Sequence, residues 1–129
     1  MWIEYQPNPK GHRVGDCSVR AISKALDVDW DTAFCLITTA AFAEKDMPSS
    51  DAIWGSVLKR NGFKRQSIAS ECENCYSAED FCADHPRGIF VLGFGGHVAT
   101  VVNSNLYDSW DSSKETPQYY WTLKKDVFE

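Results

Sequence analysis

Three residues far apart in the chain can together do nucleophilic chemistry: Cys17, His97 and Asp108. The reactive form of cysteine is the thiolate, and a helix N-terminus favours it through unpaired N–H groups and partial positive charge. Cys17 stands at such a start. Asp16 before it is a good N-cap, and Val19, Ile22 and Leu26 follow at helical spacing. The same N–H groups, with the amide of Cys17, suit a developing oxyanion. The bland alternative is a small buried hydrophobe, which is what a free cysteine usually is. His97 tips the balance, because it opens a β-branched run directly after Gly95-Gly96, where absent side chains leave the imidazole open to approach.

An imidazole acting as a base needs a partner that fixes its tautomer and stabilises its protonated form. Parity selects one. If Asn103-Ser104 is a two-residue hairpin loop, Val102 faces Asn105, Ala99 faces Asp108 and His97 faces Trp110. His97 and Asp108 are then diagonal neighbours on one face, and Asp111 falls on the other. A three-residue loop reverses this parity and brings Asp111 forward.

Gly15-Asp16-Cys17-Ser18-Val19-Arg20-Ala21, Gly96-His97-Val98-Ala99-Thr100-Val101-Val102 and Tyr107-Asp108-Ser109-Trp110-Asp111-Ser112 resemble small papain-like cysteine-peptidase proteins of bacterial and phage genomes. The order of cysteine on a helix, histidine on a strand and Asp or Asn on the next strand is similar to the papain superfamily, and Asp108-Ser109-Trp110 resembles its Asn-Ser-Trp. The resemblance runs from Gly15 to about Trp121. It implies Cys17 as nucleophile, His97 as general base and acid, Asp108 as orienter and Trp110 as a shield over the His97–Asp108 contact. It also implies that an amide at 108 would serve in part. One departure stands out: the family's oxyanion-hole Gln maps to Gly11, which leaves Gln6 and Asn8 as candidates if their loop folds back. The implied activity is hydrolysis of a peptide or other amide bond through a thioester, on a peptide, amide or protein substrate and without a cofactor. Transfer of the acyl group to an amine, as in transglutaminase-like relatives, and a non-catalytic binding module on the same fold are the alternatives.

The elements that must position these residues follow from punctuation and period. Residues 1–15 carry Pro7, Asn8, Pro9, Gly11 and Gly15 and read as an irregular lead-in. Residues 16–62 read as helical: the helix at Cys17, a second from Asp29 with Trp30, Ala33, Phe34, Ile37 and Ala41 on one face, and a third after Ser49-Ser50 that buries Ile53, Trp54, Val57 and Leu58. Asn61-Gly62 ends the third. A loop is expected at Ser67–Asn74. Residues 77–123 read as a short helix capped at Ser77 and ending at His85-Pro86, then an antiparallel sheet from Gly88–Phe94, His97–Val102, Leu106–Trp110 and Tyr119–Leu123. We therefore expect a single α+β domain over 1–129, of papain-like form, with N-terminal helices packed on a C-terminal antiparallel sheet.

Cys72, Cys75, Cys82 and His85 carry the rival signal, since Cys-x2-Cys-x6-Cys-x2-His can close a tetrahedral zinc site and define a small interaction domain. Against it, Cys82 and His85 lie on a short helix that needs its apolar side for the core, and the chain has core enough without a metal staple. Cys35, off the main apolar face of the second helix, reads as packing or harmless, His12 as a solvated loop residue, and Tyr119-Tyr120-Trp121 as strand core. Arg20 either neutralises a carboxylate near the cleft or pairs with Asp16 on the helix surface. A net charge of −5 gives no general pull toward nucleic acid or anionic membrane, and Lys59-Arg60 and Lys64-Arg65 read as a solvated face. The start Met1-Trp2-Ile3-Glu4-Tyr5 lacks the pattern of a signal peptide and no apolar run reaches membrane-span length, so a cytoplasmic location with mostly free thiols is expected.

Overall fold

The computed structural model describes residues 1–12, 14–68 and 76–123. A short strand β1 (Trp2–Glu4) precedes three helices, α1 (Cys17–Leu26), α2 (Trp30–Glu44) and α3 (Asp51–Arg60). Local signals mark several of the helix ends. Asp29 caps α2 by accepting from the Thr32 N–H at 2.8 Å, and Asp27 and Lys45 close α1 and α2 in the left-handed conformation. The period then shortens into β2 (Phe63–Ser67), a single short helix α4 (Ala78–Asp84), and strands β3 (Ile89–Phe94), β4 (His97–Val102), β5 (Asn105–Asp108) and β6 (Tyr119–Leu123). At α4 the Ser77 and Asp80 side chains cap each other's backbone N–H groups in the reciprocal box that the sequence signals.

The six strands form one mixed sheet in the order β1-β5-β4-β3-β6-β2. Its two faces carry different side chains, as a period of two demands. Val91 and Val98 point into a core shared with α1, α2 and α3, whereas Phe90, Leu92, Ala99, Val101 and Leu106 point to the α4 side. The fold is thus α+β, with three helices on one face and one on the other. Thr100 ties the layers together by donating to the Ala21 carbonyl of α1 at 2.8 Å.

Three expectations need correction. The sheet is not purely antiparallel, because β1 runs parallel to β5, with Trp2 opposite Leu106 and Glu4 opposite Asp108. The lead-in therefore contains a strand, which three residues ahead of two prolines are too few to announce. Second, β2 pairs along β6 but buries only Phe63 fully, so no alternation marks it and it extends into the expected loop as far as Ser67. Third, Phe34 is 41% exposed and stacks on Trp30 instead of joining the core. α2 carries apolar residues around its circumference, and its buried face is set by Ala33, Ile37, Ala40 and Ala41.

One glycine is required by a close approach. A Cβ on Gly93 would lie 2.1 Å from the Tyr119 ring on the neighbouring strand. Gly93→Ala is expected to lower stability by about 1–2 kcal/mol as the ring is displaced, read as a drop in the thermal midpoint. An unchanged midpoint would mean that Tyr119 moves aside freely.

Candidate active site

The hairpin turn sets the geometry. Asn103 and Ser104 both have positive φ, 47° and 72°, and form a two-residue connection with Val102 opposite Asn105, Val101 opposite Leu106 and Thr100 opposite Tyr107. The β4–β5 ladder stops there. Asp108 lies beyond the last pair, where its carboxylate meets side chains from β4 and α1.

The imidazole Nε2 of His97 is 2.6 Å from Asp108 Oδ2. With Nε2 committed to the carboxylate, Nδ1 is the nitrogen left for the Cys17 thiol, which lies close enough to His97 for each to shift the other's pKa. The Val98 backbone N–H, near the sulfur, also favours its charged form. Rings flank the imidazole, Phe94 at 5.9 Å and Trp110 at 5.1 Å between centroids. Trp110 is itself 46% exposed, so it screens one side of the contact and does not seal it. Asp111 is exposed and bonds to the Ser113 N–H, away from His97.

Asp108 is 1% exposed, and both its oxygens are fully engaged. Oδ2 accepts from His97 and from Ser112 Oγ at 2.6 Å, and Oδ1 accepts from the Ser109 N–H at 2.8 Å and from Arg20 at 3.3 Å. The Asp108 carbonyl is held as well, by the Tyr5 N–H at 2.8 Å and the Trp2 indole N–H at 3.2 Å. Strand β1 thus serves the site by clamping the backbone under the carboxylate.

Arg20 does both things the sequence allowed. It is buried, pairs with Asp16 one turn earlier and reaches across to Asp108. Asp16 in turn accepts from the Trp30 indole N–H at 2.9 Å. Asp16 therefore makes no side-chain capping bond to α1, contrary to expectation, because stronger partners hold its carboxylate. The consequence is favourable for chemistry: the first-turn N–H groups around Cys17 are left uncapped by it. The Arg20–Asp108 and Ser112–Asp108 contacts and the Phe94 stacking were not assigned from the sequence. Phe94 carries a readable signal, its position directly opposite His97 across Gly95-Gly96, and the sequence leaves Arg20 open to a carboxylate near the cleft without singling out Asp108.

The electrostatics follow from this arrangement. Burial pushes the Cys17 thiol up, but the hydrogen bond and charge of His97, the Val98 N–H and the Arg20 charge outweigh it and bring the net shift below the ordinary thiol range. Burial alone would lower His97, yet its bonds to Asp108 and Cys17 and their charges raise it to about 9. Burial likewise opposes ionisation of Asp108, and the His97 and Ser112 hydrogen bonds, the His97 charge and the Ser109 N–H hold the carboxyl below its ordinary value. The resting state these shifts favour is a thiolate–imidazolium pair.

Beside the site is a cleft of about 310 Å³, lined by Glu4, Gln6, Gly11, Val14, Arg20 and Ser109. Gln6 reaches it and Asn8 does not. The side-chain oxygens of both are turned to local backbone, Gln6 Oε1 to the Asn8 N–H and Asn8 Oδ1 to the Lys10 N–H. Of the alternative zinc set, Cys72 and Cys75 lie outside the described residues. Cys82 is buried in the α4 core, and His85 stacks on Phe81 with Nδ1 on the Phe81 carbonyl. Among the described residues no group of three His, Cys, Asp or Glu side chains is placed to hold a metal ion, and no helix is long and apolar enough to cross a membrane. No family model, curated protein or solved structure matches the chain.

Proposed function

We propose that this chain is a papain-like cysteine hydrolase, acting on a peptide or other amide bond through a thioester at Cys17. One observation carries the reading: an imidazole bonded to a buried carboxylate lies close enough to a thiol at a helix start to lower that thiol's pKa. In the reaction His97 Nδ1 holds the proton taken from the Cys17 thiol. The thiolate sulfur adds to the substrate carbonyl carbon, and the oxyanion that forms is received by the uncapped first-turn N–H groups of α1. As the tetrahedral species collapses, the C–N bond breaks, the amine leaves with the proton from His97, and the acyl group stays on sulfur. Water, deprotonated by the same imidazole, then releases the acid and restores the thiol. Asp108 stays ionised throughout and fixes the ring.

Of the described thiols, Cys17 is half-buried, Cys35 is exposed and Cys82 is buried with its thiol raised by that burial. Limited alkylation at pH 6 with mass-spectrometric mapping is expected to modify Cys17 first, and His97→Ala to slow that reaction about tenfold or more. Preferential reaction of any other thiol, or no effect of His97→Ala, would sink the assignment. A non-catalytic binding module is the second reading, favoured by the departure at Gly11, where the backbone is left-handed and no neighbour stands within 4 Å of a built Cβ. A Cys17 that stays silent to alkylation in the folded protein is its signature.

A further inference from the structure

We propose that Arg20 is a positioning residue of this site: its guanidinium ties the carboxylate at the start of the Cys17 helix to the carboxylate that orients His97. This inference rests on the reading of Cys17, His97 and Asp108 as the reacting constellation. Four side chains stand in contact in the order Asp16, Arg20, Asp108 and His97, and His97 in turn lowers the pKa of Cys17. In the ion-pair state their charges alternate in sign along the whole chain of contacts. Arg20 is the cation between the two carboxylates, and its side chain joins α1 to β5 at the site.

Burial makes the link consequential. Asp16, Arg20 and Asp108 are 5%, 7% and 1% exposed, so water screens their mutual field poorly. A full carboxylate beside an imidazole holds the proton more firmly than an amide does. Arg20 shares the charge of Asp108 and so offsets part of that hold. It also adds positive potential at Cys17 from the same helix, one turn on. Among the described residues Glu4 also stands near Asp108, exposed on β1 directly across from it. Asp111, in the following loop, is turned to Ser113.

The test reads both members of the pair. Alkylation of Cys17 by iodoacetate should give a bell-shaped pH profile. The reaction starts when the thiolate forms and slows when His97 loses the charge that attracts the anionic reagent. Removing a nearby positive charge raises the pKa of every group that feels it. Arg20→Gln, which keeps hydrogen-bond donors without the charge, is therefore expected to shift both limbs upward together by roughly half to one pH unit. Arg20→Lys should return them close to wild type. A role limited to packing predicts otherwise: loss of the Cys17–His97 contact would move the limbs toward each other, in Arg20→Lys as much as in Arg20→Gln. That outcome, or unmoved limbs in a folded Arg20→Gln protein, overturns the proposal. If Arg20→Gln does not fold, Asp16→Asn decides, since removing a negative charge must shift both limbs downward, and unmoved limbs there overturn the proposal equally. A wild-type protein without a bell would defeat the hydrolase reading itself, and this inference with it. A wild-type bell with unresponsive variants defeats this inference alone.

Discussion

Asp108→Ala is expected to destabilise the protein by about 3 kcal/mol, and to remove the alkylation advantage of Cys17. Four donors converge on this carboxylate, from His97, Ser112, the Ser109 backbone and Arg20, in a place almost closed to water. Deleting it strands a buried guanidinium with Asp16 as its remaining carboxylate partner and leaves the imidazole free to turn. The resemblance to papain relatives implies that an amide would serve here, and the pocket argues for a sharper penalty. Asp108→Asn offers one acceptor oxygen where two are used. If that oxygen serves His97 and Ser112, the NH2 group faces the donors of Arg20 and Ser109. A cost of about 1–2 kcal/mol is therefore expected even for this isosteric change, while Asp111→Ala should be close to neutral. Denaturant unfolding of the three variants, with Cys17 alkylation rates, ranks them. An Asp108→Asn protein as stable and reactive as wild type would show that the carboxylate charge is not needed.

The second large effect is one that the wild-type protein should conceal. His97 titrates at about 9 in the fold against 6.5 for an ordinary imidazole. Alone, that shift makes the folded state bind more protons across this window, so the stability it contributes is complete below pH 6.5 and is lost as the pH rises through about 9. Cys17 has the opposite sign. Its pKa lies below the ordinary thiol value, so the folded state binds fewer protons there, and its contribution grows with pH toward the ordinary thiol range. One proton has moved between two side chains, and the two slopes oppose each other. Cys17→Ser breaks the balance, because Asp108 still holds the imidazole proton while the thiol's counter-slope is gone. Between pH 6.5 and 9, Cys17→Ser is expected to lose about 1–2 kcal/mol relative to the Cys17→Ser/His97→Gln double variant, a figure reduced for partial exposure and for the missing thiolate. Chemical unfolding at a series of pH values measures the difference. A Cys17→Ser curve parallel to that of the double variant would mean His97 is not held protonated by the fold.

How much of this could be read from the chain depends on the distance over which each feature is decided. The starts of α1 and α4, the Gly95-Gly96 break and the parity of the Asn103-Ser104 turn are written in neighbouring residues. That parity is enough to put Asp108, and not Asp111, against His97. What escaped was decided far away in sequence. β1 exists because its backbone finds the edge of β5, and Trp-Ile-Glu has no local period to show it. The second partner of Arg20 is 88 residues distant. Asp16 carries a cap residue's identity, yet its carboxylate is drawn off by Arg20 and Trp30, a competition that no window around position 16 displays. The partial exposure of Trp110 is equally a matter of what packs over it, not of its own type.

The clamp on Asp108 also sets a timetable. Trp2 and its partner Asp108 are 106 residues apart, so the indole must wait for that much further synthesis before the carbonyl it binds exists. Helix α1, with its thiol, leaves the ribosome long before β4 and β5 exist. On the proposed reading, a nascent chain that stops short of β5 carries Cys17 as an ordinary, unarmed thiol, and nucleophilicity arrives only when β4 and β5 close against α1 and β1.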